Sequence, residues 1–130
     1  MSRPILLVDD NEMNLKLAQT ILVKAGYQVT AAASGAAALD LARRHAPALV
    51  LLDIRLPDID GLEVLRRLRE VPEMQGVPIV AMTAQALPDE VDRFMAAGCD
   101  GYIQKPISVD AFRAEVRRHL DLTSGQEPHR

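Results

Sequence analysis

Short apolar runs alternate with amphipathic segments along the chain, and this alternation predicts an α/β fold. The amphipathic segments repeat apolar residues at helical spacing, as Leu15, Ala18 and Leu22 do. The first, third and fourth apolar runs lack polar interruptions, as expected of parallel strands that helices cover on both faces. The predicted strands are Ile5–Val8, Gln28–Ala32, Leu49–Asp53, Ile79–Met82 and Gly101–Gln104.

Polar residues, glycine and proline mark where the predicted helices begin and end. Asp60 can cap the third helix, and Glu63 can reach back to it in a capping box. Pro88 suits the first turn of the fourth helix, whereas Gly26 and Gly98 suit the ends of the first and fourth. The fourth helix has few apolar residues, so we expect it to be among the less firmly held elements.

Length and composition indicate one soluble globular domain. The chain has 130 residues, of which 48% are hydrophobic and 25% charged. We expect the domain to span residues 1–122 and the polar residues 123–130 to form a flexible tail. The net charge of -3 argues against direct binding of nucleic acid, and the first residues lack the apolar stretch of a signal peptide or membrane anchor. A cytoplasmic location is therefore predicted.

Four of the five strands end in polar or charged residues, which are the candidates for function. Functional groups of a doubly wound sheet gather beyond the carboxyl ends of its strands. With strand order 2-1-3-4-5, the residues at the ends of strands one, three, four and five would converge on one crevice. These residues are Asp9, Asp10, Asp53, Thr83 and Lys105.

Three carboxylates in one crevice require a counter-charge. At about 5 Å and an effective dielectric near 20, each pair repels by about 3 kcal/mol. Oxygen ligands in a small site open to water favour Mg²⁺. A phosphoryl group on one carboxylate would be bound by the metal, by the ammonium of Lys105 and by the hydroxyl of Thr83. The site therefore suggests phosphoryl transfer to an aspartate.

Four sequence fragments together resemble one protein family. The chain resembles the receiver domain of bacterial two-component response regulators over about residues 3–122, and is most similar to the stand-alone receivers of the DivK type. The resemblance implies a five-stranded, flavodoxin-like (CheY-like) three-layer sandwich. It also implies a single-domain response regulator in a phosphorelay, a signalling switch rather than an enzyme. The fragments are VDDNEMN, LLDIRLPDIDGLEVL, AMTA and YIQKPI.

The resemblance also implies a role for each site residue. Asp53 would be the phosphoacceptor, and the Lys105–Pro106 bond would be cis. Gln85 would lie near the path of the water that removes the phosphoryl group, as would the side chains of Arg55 and Ala84. The implied ligands of Mg²⁺ are Asp9, Asp10, Asp53 and the backbone carbonyl of Arg55. The residues implied to bind the phosphoryl group or to switch are Thr83, Ala84, Tyr102 and Lys105.

The implied partners are a histidine kinase or histidine phosphotransfer protein and a downstream protein target, with the receiver a monomer or weak dimer. Two alternatives stay open, a receiver excised from a hybrid histidine kinase and an aspartyl-phosphate hydrolase. The hydrolase would need a D-x-D-x-T loop, but Asp9 is followed by Asp10 and Asn11. A flavin or dinucleotide module is disfavoured because no G-x-G-x-x-G follows the first strand.

Other polar residues are expected to serve the structure alone. Asp58 is interpreted as a turn residue. The only cysteine, Cys99, is interpreted as a small packed residue. We expect the arginines of the third helix to lie on its solvated face. The histidines are not spaced as metal ligands are, so we expect them on the surface. These residues are Arg66, Arg67, Arg69, His45, His119 and His129.

Overall fold

A single parallel sheet forms the middle of the molecule. The structure is a computed structural model that describes residues 3–84, 87–105 and 108–125, with side chains described as far as residue 121. Five strands pair in the order β2-β1-β3-β4-β5, and every pair is parallel, which confirms the predicted order. The strands are β1 (Ile5–Val8), β2 (Val29–Ala32), β3 (Leu49–Asp53), β4 (Ile79–Thr83) and β5 (Gly101–Gln104).

Helices connect the strands, and one of them is longer than expected. The helices are α1 (Glu12–Lys24), α2 (Gly35–Arg44), α3 (Gly61–Glu70), α4 (Pro88–Ala96) and α5 (Val109–Gly125), and a 3₁₀ turn covers Pro72–Met74. The last helix continues past Leu122 and includes residues 123–125, which the sequence assigns to the tail. Residues 126–130 lie outside the described residues. The domain boundary at Leu122 stays a prediction.

Two apolar layers cover the sheet, one on each face. Alternate residues of the strands, such as Leu6 and Leu7, point to opposite faces and enter different clusters. One cluster joins the sheet to α2, α3 and α4, and the other joins it to α1 and α5. β1, β3 and β4 are buried throughout, whereas β2 and β5 are the partly exposed edges. The three-layer sandwich is thereby confirmed.

The helix ends follow the local chemistry that the sequence predicts, with one exception. Gly26 and Gly98 have φ of 97° and 110°, the left-handed region that ends a helix easily with glycine. Asp60 caps α3 by accepting a hydrogen bond from the amide of Leu62. Glu63 does not complete a capping box, because its carboxylate pairs with the Arg67 side chain at 3.0 Å.

Two residues expected on the surface are instead structural. The Arg69 guanidinium donates to the carbonyls of Gly98 and Val77 and to the carboxylate of Asp100. Arg69 therefore fastens the turn between α4 and β5 to the start of β4. His119 is only 4% exposed, because α5 packs its ring against Gly101 of β5. His45 is exposed as predicted, and His129 lies outside the described residues.

Candidate functional site

The strand register brings the predicted site residues together at one edge of the sheet. Val8 of β1 is paired with Leu52 of β3, so the residues that follow, Asp9 and Asp53, lie side by side. The pairing of β4 with β5 likewise sets Lys105 one step beyond Thr83. The backbone amide of Lys105 donates to the carbonyl of Thr83 at 2.7 Å, which extends that pairing.

Asp9 and Asp53 make the same local turn after their strands. One oxygen of Asp9 accepts a hydrogen bond from the amide of Asn11 at 2.9 Å, and one oxygen of Asp53 accepts from the amide of Arg55 at 3.0 Å. Aspartate makes this turn because its short side chain reaches the backbone two residues ahead. The turn fixes each carboxylate and directs its second oxygen toward the crevice.

Lys105 bridges the two buried acids. Its Nζ donates to the second oxygen of Asp9 at 3.0 Å and to that of Asp53 at 3.1 Å. Asp9 is 2% exposed and Asp53 is 6% exposed, so both carboxylates are shielded from bulk water. The ammonium supplies part of the counter-charge that the sequence requires at this point.

Burial and the bridging ammonium act on the protonation of the site in opposite directions. Burial raises the pKa of Asp53, although the amide of Arg55 and the charge of Lys105 oppose the shift. Burial also disfavours the charged form of Lys105, but its hydrogen bonds and charge attraction to Asp9 and Asp53 outweigh that effect and raise its pKa. The Lys105 ammonium is therefore held in its charged form, while burial makes the Asp53 carboxylate easier to protonate than a free one.

The acids form a cluster that suits a divalent cation. Asp9, Asp10 and Asp53 each offer one oxygen, and these three oxygens lie within 4.8 Å of one another. Asp10 is exposed and opens the cluster to solvent. Three carboxylates and one ammonium leave an excess of negative charge, and an all-oxygen donor set is the kind that Mg²⁺ prefers. The donor chemistry of the site thus fits Mg²⁺.

The predicted switch residues lie on the side of the site that faces α4. Thr83 is buried at the end of β4, whereas Tyr102 on β5 is 46% exposed. Both line a cavity of about 10 Å³ that Val91 and Phe94 of α4 also border. This volume is enough for about one water molecule, so a tyrosine ring could enter only if the lining side chains or α4 moved. Ala84 is exposed and follows Thr83 directly.

Two sequence predictions fall outside the described residues, and one long-range contact of the loop after β3 has no counterpart among the predictions. Pro106, with its expected cis bond, and Gln85 lie in the undescribed stretches 106–107 and 85–86. Asp58 is more than a turn residue, because its carboxylate accepts hydrogen bonds from the amides of Gly35 and Ala36 at the start of α2. No local pattern around Asp58 indicates a partner more than twenty residues away.

Comparisons with known proteins agree with this geometry. A family model described as the response regulator receiver domain matches residues 5–117. The chain belongs to the response regulator receiver domain family. This receiver domain is 41% identical over 120 residues to the polar-differentiation response regulator DivK of Brucella ovis, covering 92% of this chain and 98% of that protein. The family match disfavours the hydrolase alternative.

Solved structures of similar proteins have the same fold. A CheY-like response regulator receiver domain protein from Methanospirillum hungatei superposes with a TM-score of 0.91 at 28% identity, covering 98% of this chain and all of that one. The receiver domain of a sensor histidine kinase from Pseudomonas aeruginosa has a TM-score of 0.85 at 33% identity, covering 93% and 99% of the two chains. That protein has a magnesium ion coordinated in its active site cleft.

Proposed function

We propose that this receiver domain is a phosphorylation switch in which Asp53 accepts a phosphoryl group from a histidine kinase or a histidine phosphotransfer protein. The observation that carries the proposal is the placement of the Asp53 carboxylate. It lies at the end of a buried strand, 3.1 Å from the Lys105 ammonium and within 4.8 Å of two further carboxylates. This grouping supplies a fixed nucleophile and a cation for the incoming charge.

In the transfer step, a carboxylate oxygen of Asp53 forms a bond to phosphorus as the bond from phosphorus to the donor histidine nitrogen breaks. The released imidazole nitrogen keeps the electron pair of that bond. The hydrogen bond from Arg55 to the other oxygen holds the carboxylate plane still, so the attack follows one direction. Lys105 Nζ, already at the site, would turn from the carboxylates to the phosphoryl oxygens as negative charge gathers there.

The ligands we assign to Mg²⁺ are Asp9, Asp10, Asp53 and the backbone carbonyl of Arg55. The close approach of the three carboxylates and the magnesium ion in the similar Pseudomonas aeruginosa domain support this assignment. When bound, Mg²⁺ neutralises the acids and polarises the phosphoryl oxygens. Asp10, as the exposed member of the cluster, would keep part of the coordination sphere open to water and to the phosphodonor.

The output of the switch is proposed to be altered binding of a protein partner. Thr83 would move toward the phosphoryl group, Tyr102 would turn inward, and α4 would shift to make room for its ring. The small volume of the cavity between Tyr102 and α4 supports a coupling between these movements. Arg55 and Ala84 border the site and would influence how long the phosphoryl group lasts.

The surface beside the site suits a protein partner. Met13 and Leu17 of α1 are 81% and 60% exposed, and neighbouring exposed apolar side chains are a feature of protein-binding surfaces. We propose that the phosphodonor docks on this face in the cytoplasm, and that the receiver acts as a DivK-like single-domain regulator, a monomer or weak dimer. None of the described helices combines the length and apolar character needed to cross a membrane.

Intact-mass measurement of phosphorylation tests the proposal. A small acyl phosphate with Mg²⁺ should add one phosphoryl group to the wild type, and Asp53→Asn should abolish the addition because the amide is a poor nucleophile. Asp40→Asn is the matched control, since Asp40 is an exposed acid that pairs with Arg44 away from the site. Unchanged labelling of the Asp53 variant would remove the proposal.

A further inference from the structure

Asp58 connects the site loop to a different helix. It lies between β3 and α3, in the stretch that also carries Arg55. One of its oxygens accepts a hydrogen bond from the amide of Gly35 at 2.9 Å, and the other accepts from the amide of Ala36 at 3.0 Å. These amides are the first two of α2, and a carboxylate is favoured at a helix N-terminus.

The carboxylate is held in its charged form by these contacts. The hydrogen bonds from Gly35 and then Ala36 lower the pKa of Asp58. The third amide of α2, that of Ala37, is satisfied separately by the hydroxyl of Ser34 at 3.2 Å. Two side chains therefore cap the same helix, but only Asp58 belongs to the loop of the site.

The backbone between Arg55 and Asp58 has little conformational freedom. Only Leu56 and Pro57 separate them. Leu56 packs against the core, and the proline ring fixes its own φ. Ile59, on the other side of Asp58, also packs against the core. Displacement of the Asp58 carboxylate would therefore be passed to the backbone of Arg55, whose amide holds Asp53.

We propose that Asp58 is a positioning residue: by docking on the start of α2, it holds the backbone of Arg55 where its carbonyl and amide serve the phosphorylation site. This inference rests on the proposed function of the site, since the Arg55 carbonyl is assigned there to Mg²⁺. Asp58 itself touches neither the metal nor the phosphoryl group.

Asp58→Ala and Ser34→Ala form a matched pair for the test. Each removes side-chain caps from α2, but only the first frees the loop of the site. The measurements are the Mg²⁺ dissociation constant by calorimetry and the hydrogen exchange rate of the Arg55 amide by NMR without metal. Asp58→Ala should weaken Mg²⁺ binding about tenfold, the lower end of the loss when outer-sphere partners of metal ligands are removed. Its Arg55 amide should exchange several-fold faster than that of Ser34→Ala.

Asp58→Asn separates position from charge, because it removes the charge but keeps one acceptor oxygen. It should lie between the wild type and Asp58→Ala in both measurements. The inference would be overturned if Asp58→Ala and Ser34→Ala changed the Mg²⁺ affinity and the Arg55 exchange rate equally. It would also be overturned if Asp58→Asn and Asp58→Ala did so. If the wild type binds no Mg²⁺, the proposed function fails, whereas the Arg55 exchange rates still decide whether Asp58 holds the loop.

Discussion

Replacing Lys105 by methionine tests the electrostatics of the site directly. Methionine keeps much of the length of the side chain but removes the ammonium that lies 3.0 Å from Asp9 and 3.1 Å from Asp53. The two carboxylates, both buried, would then face each other and Asp10 without a cation. We expect the variant to be less stable without metal and to recover when Mg²⁺ is added.

The magnitude follows from the separations. Carboxylate oxygens within 4.8 Å of one another repel by about 3.5 kcal/mol per pair at an effective dielectric near 20. Removing one partner of a buried ion pair costs about 3 to 5 kcal/mol. Because the crevice is open at Asp10 and the Lys105 side chain is 20% exposed, we expect the lower limit, about 3 kcal/mol. Mg²⁺ at about 100 times its dissociation constant would raise the unfolding free energy of a protein that binds it only when folded by about 2.7 kcal/mol.

Urea unfolding at neutral pH, with a chelator or with Mg²⁺, measures both effects. The difference in unfolding free energy between the wild type and Lys105→Met should shrink by at least half in Mg²⁺. The ion replaces the missing ammonium and therefore binds the variant more tightly than the wild type. Lys16→Met is the control, since Lys16 is exposed on α1 and its loss should change stability by less than about 0.5 kcal/mol. Equal stability of the two variants in chelator, or a deficit that Mg²⁺ leaves unchanged, would refute this account.

Two further predictions concern packing and protonation. Gly61→Ala should lower the free energy of unfolding by about 3 kcal/mol, because the added Cβ would lie 2.5 Å from the Ile54 Cα. Gly26→Ala should lower it by about 1 kcal/mol, because Gly26 has open space around it but a positive φ. Similar losses for the two variants in urea unfolding would contradict the packing argument. Burial and then the charge of Arg118 lower the pKa of His119, so the unfolded chain binds this proton more readily than the folded one. The contribution of His119 to the free energy of unfolding should therefore fall as the pH drops below 6.5 and stay level above it. His119→Gln should flatten the difference between about pH 8 and pH 5, and an unaltered profile would refute the assignment.

The apolar pattern predicted most of the fold because buried parallel strands leave little freedom in sequence. β1 and β3 have the predicted bounds, and the charged residues at their ends marked the site before any contact was known. The convergence of Asp9, Asp53 and Lys105 follows from strand order alone, since neighbouring parallel strands end at the same edge. The pattern predicts the ends of the elements less closely, because β4 includes Thr83 and α5 extends to Gly125.

Contacts between distant segments could not be predicted in this way. The sequence neighbours of Asp58, Arg69 and His119 predict a turn, a solvated helix face and a surface residue. Their partners are set by the packing of α2, β5 and the turn after α4, and no spacing rule along the chain encodes these. Polar side chains that join separate elements are therefore the part of this fold that a single sequence hides.

In the proposed switch, only contacts that the phosphoryl group makes in one of the two arrangements would supply energy to move α4. Lys105 would reach a phosphoryl group on Asp53 in either arrangement, so it would stabilise phosphorylation without biasing the proposed switch. The hydroxyl of Thr83 and the amide of Ala84 would reach it in one arrangement only, and charged hydrogen bonds contribute about 1.5 to 3 kcal/mol each. Together these two hydrogen bonds would contribute about 3 to 6 kcal/mol. A shift between two arrangements from 1:99 to 99:1 needs about 5.5 kcal/mol, which lies within that range. Phe94 is the one buried residue among those described in α4, and its burial contributes about 2 kcal/mol. In the proposed switch, α4 would therefore be the element that such a bias displaces.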